Sequence, residues 1–566
     1  MKKRMKGADA LMEALLHEGV DTVFGYPGGS IITVYDSLKK YSDRLRHILV
    51  RHEQGATHAA EGYARVSGKV GVCFVTSGPG ATNAITGIGD AMIDSTPIVV
   101  VMGQVGASLL GTDAFQEIDV VGITQPITKW SYQIRRPEDI AWAVARAFYI
   151  ARSGRPGPVV LDFAKNAQIS EVDFEPSVCD FIRSYLPNPV VQDTYVQQAA
   201  DLINSAKKPF ALVGQGVVLG NAEKELMAFL EKADIPAGWT LLGESVMPTD
   251  FRLNKGMLGM HGNIGPNMKT NECDVLIAIG MRFDDRVTGN LSTYAKQAKV
   301  IHLDIDASEL NKNVATTVPL LGNVKEVLPK LTEKVRPNNH TEWIDSFAEY
   351  EEREMSEVIC KELMPQCGSL KMGEVVAAVS EAVNHDAVLV TDVGQNQMMA
   401  ARYFKFRRSR SVVTSGGLGT MGFGLPAAIG AKVACPNRTV CFFVGDGGIQ
   451  MTIQELGTIM QEQTGVKIIL MNNNWLGMVR QWQELFYESN YSQTQLVNPD
   501  FSLIAKAYGI ASRQVSERSE LKDAINDMLK DDAPYMLIVN VEPEGLVFPM
   551  TPAGHTITDI MTGENA

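Results

Sequence analysis

The sequence predicts an α/β protein built from three doubly wound parallel-sheet domains, and three observations carry that prediction. Short β-branched runs such as VGVCFVTS, PIVVVMG and PVVLDF alternate with Ala-rich helical patterns, as parallel strands joined by crossover helices require. At 566 residues the chain is too long for one hydrophobic core and long enough for about three. Composition breaks near YLPNPVVQD (185–193) and again at KVRPNNHTEW (334–343), the second followed by a charged helix and CGSLKMGE. The expected divisions are 1–185, 190–340 and 365–550, with a tail at 551–566.

Composition narrows the function. Hydrophobic residues make up 45% and charged residues 21%, ordinary globular values. A net charge of −13 argues against a nucleic-acid groove, so any anionic ligand needs locally placed positive groups. The N-terminal MKKRMKGADALMEALLHEGVDTVFG begins basic, but Glu13, His17, Glu18 and Asp21 deny it the apolar core of a signal peptide, and it reads as an amphipathic surface helix. No run approaches the roughly 18 apolar residues of a membrane span. The seven cysteines, at 73, 179, 273, 360, 367, 435 and 441, have no CxxC spacing and read as reduced thiols in a cytosolic protein.

Taken in order, the first and third segments echo each other. GYARVSGKVGVCFVTSGPGATNAITG and GAKVACPNRTVCFFVGDGGIQMTIQEL both run from helix end through basic turn, apolar strand and Gly-rich turn into a helix start. Two such domains facing each other form a cleft between their strand ends. The middle segment differs: FALVGQGVV, VLIAIGMRFDD and VIHLDIDASEL resemble a nucleotide-binding α/β domain, in which a turn meets phosphate and an acid meets a ribose.

The sharpest motif begins at residue 442, FFVGDGGIQMTIQELGTIMQEQTGVKIILMNNNWLGM. Asn473 follows Asp446 by 27 positions (473 − 446), about one βαβ crossover, so both should emerge at one carboxyl edge of a parallel sheet. Gly445 and Gly447 let the backbone approach a phosphorylated ligand, while Asp446 and Asn473 supply hard oxygen donors suited to Mg²⁺. Alone, GDG is also a tight turn. Paired with NN at this distance, it is the thiamine diphosphate motif. That cofactor needs a carboxylic acid at N1′ of its aminopyrimidine, and RHEQGATHAAEGYAR offers Glu53, which from this fragment alone could equally be a surface acid.

Together these motifs resemble the catalytic large subunit of acetohydroxyacid synthase, also called acetolactate synthase. The resemblance runs along nearly the whole chain, through VFGYPGGSIITVYD, RHEQGATHAAEGYARVSG, TSGPGATN, TDAFQEIDVVGIT, GRPGPVVLDFAKNAQ, MLGMHG, MRFDDRVTG, TDVGQNQM, GGLGTMGFGLPAAIGA and GMVRQWQELFY. It implies decarboxylation of pyruvate on thiamine diphosphate and transfer of the two-carbon unit to a second 2-keto acid, pyruvate or 2-ketobutyrate, at the entry to branched-chain amino-acid synthesis. Pyruvate oxidase or another thiamine diphosphate-dependent carboligase or decarboxylase is the alternative.

The same resemblance assigns residues. Glu53 activates the pyrimidine; Asp446, Asn473 and the carbonyl of Trp475 hold Mg²⁺; Met421 is the apolar wedge that bends the cofactor. Gly394, Gln395, Asn396, Gly419, Gly445, Gly447, Gly448 and Met478 surround thiamine diphosphate. Arg155, Gly214, Gly216, Thr240, Leu241, His261, Gly280, Arg282, Asp304, Ile305 and Asn323 contact FAD, which is structural because decarboxylation and carboligation consume no electrons. Asn323 and Asn396 stand where the family commonly has Asp and His, and each can still donate or accept a hydrogen bond. Gly29, Ser30, Phe115, Gln116, Lys165, Met260, Met478 and Trp482 line the substrate channel. Arg286 holds the acceptor's carboxylate, although its own sequence also offers Asp284 and Asp285 as partners. A homodimer or tetramer with active sites between chains, a small regulatory subunit, and a tail folded over the active site complete what is implied.

Overall fold

Three six-stranded sheets, each parallel throughout, form the frame of a computed structural model that describes residues 3–365 and 367–563. The first two residues of the N-terminal segment and the last three of the expected tail lie outside the described residues. In the N-terminal sheet the order is Arg46–Leu49, Thr22–Gly25, Gly71–Val75, Ile98–Gln104, Val159–Ala164, Trp130–Ile134. In the C-terminal sheet it is Val412–Val413, Val388–Thr391, Val440–Gly445, Val466–Asn472, Tyr535–Asn540, Ala511–Val515. Both therefore arrange their strands, counted along the chain, second, first, third, fourth, sixth, fifth. The echo in the sequence is a shared topology.

The central sheet is wound differently: Asn254–Met257, Ala237–Trp239, Pro209–Val213, Val275–Ile279, Lys299–Asp304, Val318–Leu321. That is third, second, first, fourth, fifth, sixth, the order of dinucleotide-binding sheets, whose ligand crevice opens between the first and fourth strands. Pro209–Val213 and Val275–Ile279 are those strands, paired in register from Pro209 opposite Val275 to Val213 opposite Ile279.

Strands buried on both faces explain the continuous apolar runs in the sequence. Along Val440–Gly445, Phe442 and Val444 face a core shared with the N-terminal sheet, whereas Cys441 and Phe443 face one shared with the central domain. The shared core holds two helices, Glu53–Ser67 and Gly424–Ala434, whose backbones touch. A Cβ at Gly62 would lie 2.0 Å from the Ala427 carbonyl oxygen, and one at Gly430 would lie 1.8 Å from that of Ala59.

The N-terminus departs from expectation. Lys3–Lys6 is a strand, paired antiparallel with Glu171–Phe174, and the helix Gly7–His17 buries Ala8, Ala10, Leu11, Met12, Ala14 and Leu15 rather than lying on the surface. Its polar residues misled because they occupy one narrow face. The seven cysteines are free thiols. Among the described residues no helix is long and apolar enough to cross a membrane.

The glycine contact is testable. Gly430→Ala should lower the thermal midpoint and cost about 1–3 kcal/mol, because the helices must part to admit the methyl group. Gly106→Ala, where an added Cβ meets nothing within 4 Å, should leave the midpoint unchanged.

Candidate active site

Two groups of the expected residues come together, at two different places on the chain. The first lies at the C-terminal sheet's switch point. Strand Val388–Thr391 leads through Gly394 into helix Gln395–Tyr403, and Val440–Gly445 leads directly into helix Asp446–Met451. Parallel pairing sets Gly445 opposite Met471, so Asp446 and Asn473 leave neighbouring strands at one edge. Both are nearly buried, at 1% and 3% exposure. Asp446 Oδ2 accepts from the Asn474 amide at 2.7 Å and from Asn498 Nδ2 at 2.6 Å. Burial nevertheless outweighs these bonds and pushes its carboxyl up to about 6. Asn473 Oδ1 accepts from the Trp475 amide at 3.1 Å. A buried carboxylate beside an amide oxygen can serve a hard divalent cation.

The glycines here are of two kinds. At Gly394, Gly419 and Gly445 an added Cβ would find no atom nearer than 3.8, 4.0 and 3.4 Å, so bare backbone faces open space there. A phosphate can approach such backbone, and two helices start beside it. The atom nearest to Gly394 and Gly445 is Asn396 Nδ2, a donor over the gap, while Asn396 Oδ1 and Gln395 Oε1 are buried without a partner. Gly447 and Gly448 are packing positions instead: a Cβ would meet Leu476 Cδ2 at 2.6 Å and Asp392 Oδ1 at 2.5 Å. Met421 flanks the gap, its Cε 3.8 Å from the Cβ position at Gly447.

Residues that sequence reasoning missed hold this region in shape. Asn498 ties Asp446 to Asn472 and Asn474, at 3.0 and 3.1 Å from their side-chain oxygens. Nothing marks it in the sequence, since it returns from a loop beyond the motif. The fully buried Asp392 accepts from the amides of Gly422 and Gly424 on either side of Phe423, at 3.0 and 3.1 Å. From the N-terminal domain, Asp94 receives the amides of Gly416 and Gly417 at 2.8 and 2.7 Å and the Arg65 guanidinium at 2.7 Å, and Asp90 receives Ser415 Oγ at 2.7 Å.

The second group gathers at the carboxyl edge of the N-terminal sheet. Glu53 opens its helix and accepts from Asn83 Nδ2 at 3.0 Å, and Gly80 leaves room for it, since a Cβ there would lie 3.3 Å from Glu53 Oε1. Lys165 Nζ donates to the Gly29 carbonyl at 2.8 Å, and Ser77 bonds Ser30 at 2.7 Å. Gln116, at a φ of +59°, packs against Gly78, while Phe115 is 88% exposed.

Bordering the first group at Gly394 and Gly419, a cavity of about 910 Å³ opens at the central sheet's switch point. Its lining includes Arg155, Gly214, Gly216, Thr240, Leu241, His261, Gly280, Arg282, Asp304, Ile305 and Asn323, together with Met260, Arg286, Gly394, Gly419, Met478 and Trp482. Glu53 and the rest of its group do not line it. Gly214 and Gly216 are needed first for turn-on-turn packing, because a Cβ would strike Gly280 O at 2.3 Å or Gly280 Cα at 2.6 Å. His261 Nδ1 is buried without a partner, and burial pushes the imidazole down to about 4. Asn323 caps helix Val324–Lys334 through the Lys325 amide at 2.9 Å. Arg286 is largely exposed, 3.6 Å from Asp285, while Asp284 caps the turn carrying it. The tail docks beside this turn: Thr551 donates to the Met260 carbonyl at 2.7 Å and Asn290 to that of His555 at 2.9 Å.

Three family models match the chain, those of the thiamine pyrophosphate enzymes' N-terminal TPP-binding domain (residues 5–123), central domain (196–331) and C-terminal TPP-binding domain (392–539). The fold and the strand-edge loops thus define a thiamine pyrophosphate enzyme. Curated relatives are narrower in kind. The acetolactate synthase large subunit of Lactococcus lactis is 44% identical over 98% of this chain and 96% of its own length. The isozyme 2 large subunit of Escherichia coli is 43% identical over 98% and 99%, and the Corynebacterium glutamicum large subunit 44% over 99% and 90%. The chain belongs to the acetolactate synthase large-subunit family.

Asn498→Ala should weaken divalent-cation affinity about 10- to 100-fold, because it frees the carboxylate it holds. In the wild type, cation affinity should fall as pH drops through about 6, where a proton competes for Asp446. Cation titrations at two pH values check both.

Proposed function

We infer that this chain is the catalytic subunit of an acetolactate synthase that condenses two 2-keto acids with loss of CO₂, using thiamine diphosphate, Mg²⁺ and FAD. The observation that carries the inference is the strand edge where Asp446 and Asn473 meet the open glycines 394, 419 and 445. That edge fits a metal-bound diphosphate in charge, donor type and space. Asp446, Asn473 and the Trp475 carbonyl would hold Mg²⁺, and Asn396 with the glycine amides would receive the diphosphate. Met421 would give the cofactor an apolar contact.

When bound, thiamine diphosphate supplies a nucleophilic carbon, C2, on a thiazolium ring that takes up the electrons released by decarboxylation. Glu53 holds and returns the proton at N1′ of the pyrimidine, and Asn83 fixes the carboxylate that does so. The Glu53 group and the Asp446 group leave the carboxyl edges of two different sheets, and a homodimeric or tetrameric enzyme in which one copy supplies Glu53, Gly29, Ser30, Phe115, Gln116 and Lys165 to the diphosphate site of another belongs to this reading. The exposed Phe115 then becomes an apolar wall of the channel.

FAD fits the large cavity through the strand order of its sheet, the buried Nδ1 of His261 and the buried Asp304, whose carboxyl burial pushes up to about 6. It carries no redox step here, since the reaction has no net electron transfer. Met478 and Trp482, four residues apart on helix Gly477–Phe486, present one face to that cavity, with Arg286 and Met260 lining it as well. Arg286 would receive the acceptor's carboxylate and Trp482 its alkyl end. A separate small regulatory subunit and a cytosolic setting belong to the same reading.

Purified protein with all three cofactors should convert pyruvate to acetolactate without oxygen uptake; flavin-linked oxygen consumption would replace the synthase by an oxidase. Glu53→Gln should keep cofactor affinity and slow exchange of the cofactor's C2 proton by about two to four orders of magnitude. Trp482→Leu should erase most of the preference for 2-ketobutyrate over pyruvate, a contact worth about 1–3 kcal/mol, and Arg286→Ala should divert product towards acetaldehyde. A competition assay with both keto acids measures the two outcomes.

A further inference from the structure

One buried carboxylate outside the groups already described reaches from the C-terminal domain into the segment that carries Glu53. Glu455 ends the short turn Ile453–Glu455, nine residues after Asp446 (455 − 446), and is 0% exposed. Its Oε1 and Oε2 lie 3.0 and 3.2 Å from the Arg51 amide nitrogen, which donates to them. Thr458 Oγ1 donates at 2.7 Å, and the His52 amide adds a further bond. Each of these partners is a donor. Burial lifts the carboxyl to about 7, and the donors pull the other way, towards the carboxylate.

The contact is reciprocal and tightly built. Arg51 sends its guanidinium back to the Gly457 carbonyl and Gln461 Oε1, both at 2.9 Å, and holds its own strand end through the Leu49 carbonyl at 2.9 Å. Gly55, in the first helical turn, must lack a side chain, since a Cβ there would lie 2.5 Å from Glu455 Oε1. His52 caps the helix by accepting from the Gln54 amide at 3.2 Å. Residues 51 and 52, gripped by Glu455, immediately precede Glu53.

We propose that Glu455 is a positioning residue for the reaction: by holding the Arg51 and His52 amides it sets the start of helix Glu53–Ser67, and with it the carboxylate of Glu53, against the cofactor's pyrimidine. The proposal rests on Glu53 being the proton-holding acid. It also means that the loop carrying Asp446 and the acid that serves a cofactor are anchored to one another within a single chain. A carboxylate suits this task because it accepts several bonds at once; an amide offers one acceptor, and an alanine none.

The test uses the full chain as wild type, Glu455→Gln, Glu455→Ala and Glu53→Gln. Amide hydrogen exchange is read in the cofactor-free protein, thiamine diphosphate affinity by titration, and C2 proton exchange per bound cofactor. In Glu455→Ala, amide exchange across residues 51–54 should rise about tenfold or more. Affinity for thiamine diphosphate should stay within about threefold of wild type, because the groups that bind it are elsewhere. C2 exchange should fall about 10- to 100-fold, as expected when a reacting group is misplaced by about an ångström. Glu455→Gln should fall between the two, and it carries the test should Glu455→Ala not fold. Unchanged C2 exchange per bound cofactor in the Glu455 variants, with Glu53→Gln strongly impaired, would overturn the positioning role alone, as would a loss of turnover traced wholly to weaker cofactor binding. Normal C2 exchange in Glu53→Gln would remove the reading on which the proposal stands.

Discussion

The close passage of helix Glu53–Ser67 over helix Gly424–Ala434 is the constraint on which the rest of the molecule depends. Gly62 and Gly430 each give up a side chain so that the partner's backbone can approach, and the two outer domains then share one continuous apolar core. Dispersion contacts at that distance are individually small, but they are lost together if the helices separate. Everything placed at the ends of those helices inherits their relative position. Glu53 starts one of them; the loop through Gly419 and Met421 leads into the other.

Polar groups at the same junction complete what packing begins. Arg65, Asp90 and Asp94 are buried, and each spends hydrogen bonds on the loop Thr414–Gly417 of the other domain. An uncompensated charge at such depth would cost several kcal/mol, so this network admits few arrangements of the loop. Burial pushes the Glu61 and Asp90 carboxyls well above the usual range, which keeps the surplus of acids in the cluster tolerable. The loop that leads to Gly419 therefore stands on supports drawn from two domains.

The central domain shows the opposite economy. Its sheet order creates a crevice by topology alone, and its glycines pack turn against turn before they meet anything else. What closes the crevice into a cavity is its roof, supplied by Val393, Gly394, Gln397, Met398 and residues 415–419 and by helix Gly477–Phe486 of the C-terminal domain. The tail adds to this side by bonding the Met260 carbonyl, so the residues expected to meet the acceptor substrate lie where three parts of the chain converge.

The sequence by itself determined the class of fold, the shared plan of the outer domains and the Asp446–Asn473 pair. Parallel strands buried on both faces leave continuous apolar runs, and a crossover of about thirty residues leaves its length in the numbering. Period and spacing are local properties, so they are legible in one dimension. Only the tertiary structure decided which glycines face open space and which face a neighbour, since Gly445 and Gly448 look alike in GDGG yet differ in what lies opposite. It also decided that Asn498 bonds Asp446, that Asp392 receives the Gly422 amide, that Glu455 receives the Arg51 amide, and that Glu53 does not line the cavity containing Gly394 and Gly419. Those facts depend on contacts between residues up to about four hundred positions apart, such as Arg51 with Glu455, and such distances leave no periodic trace in a single sequence.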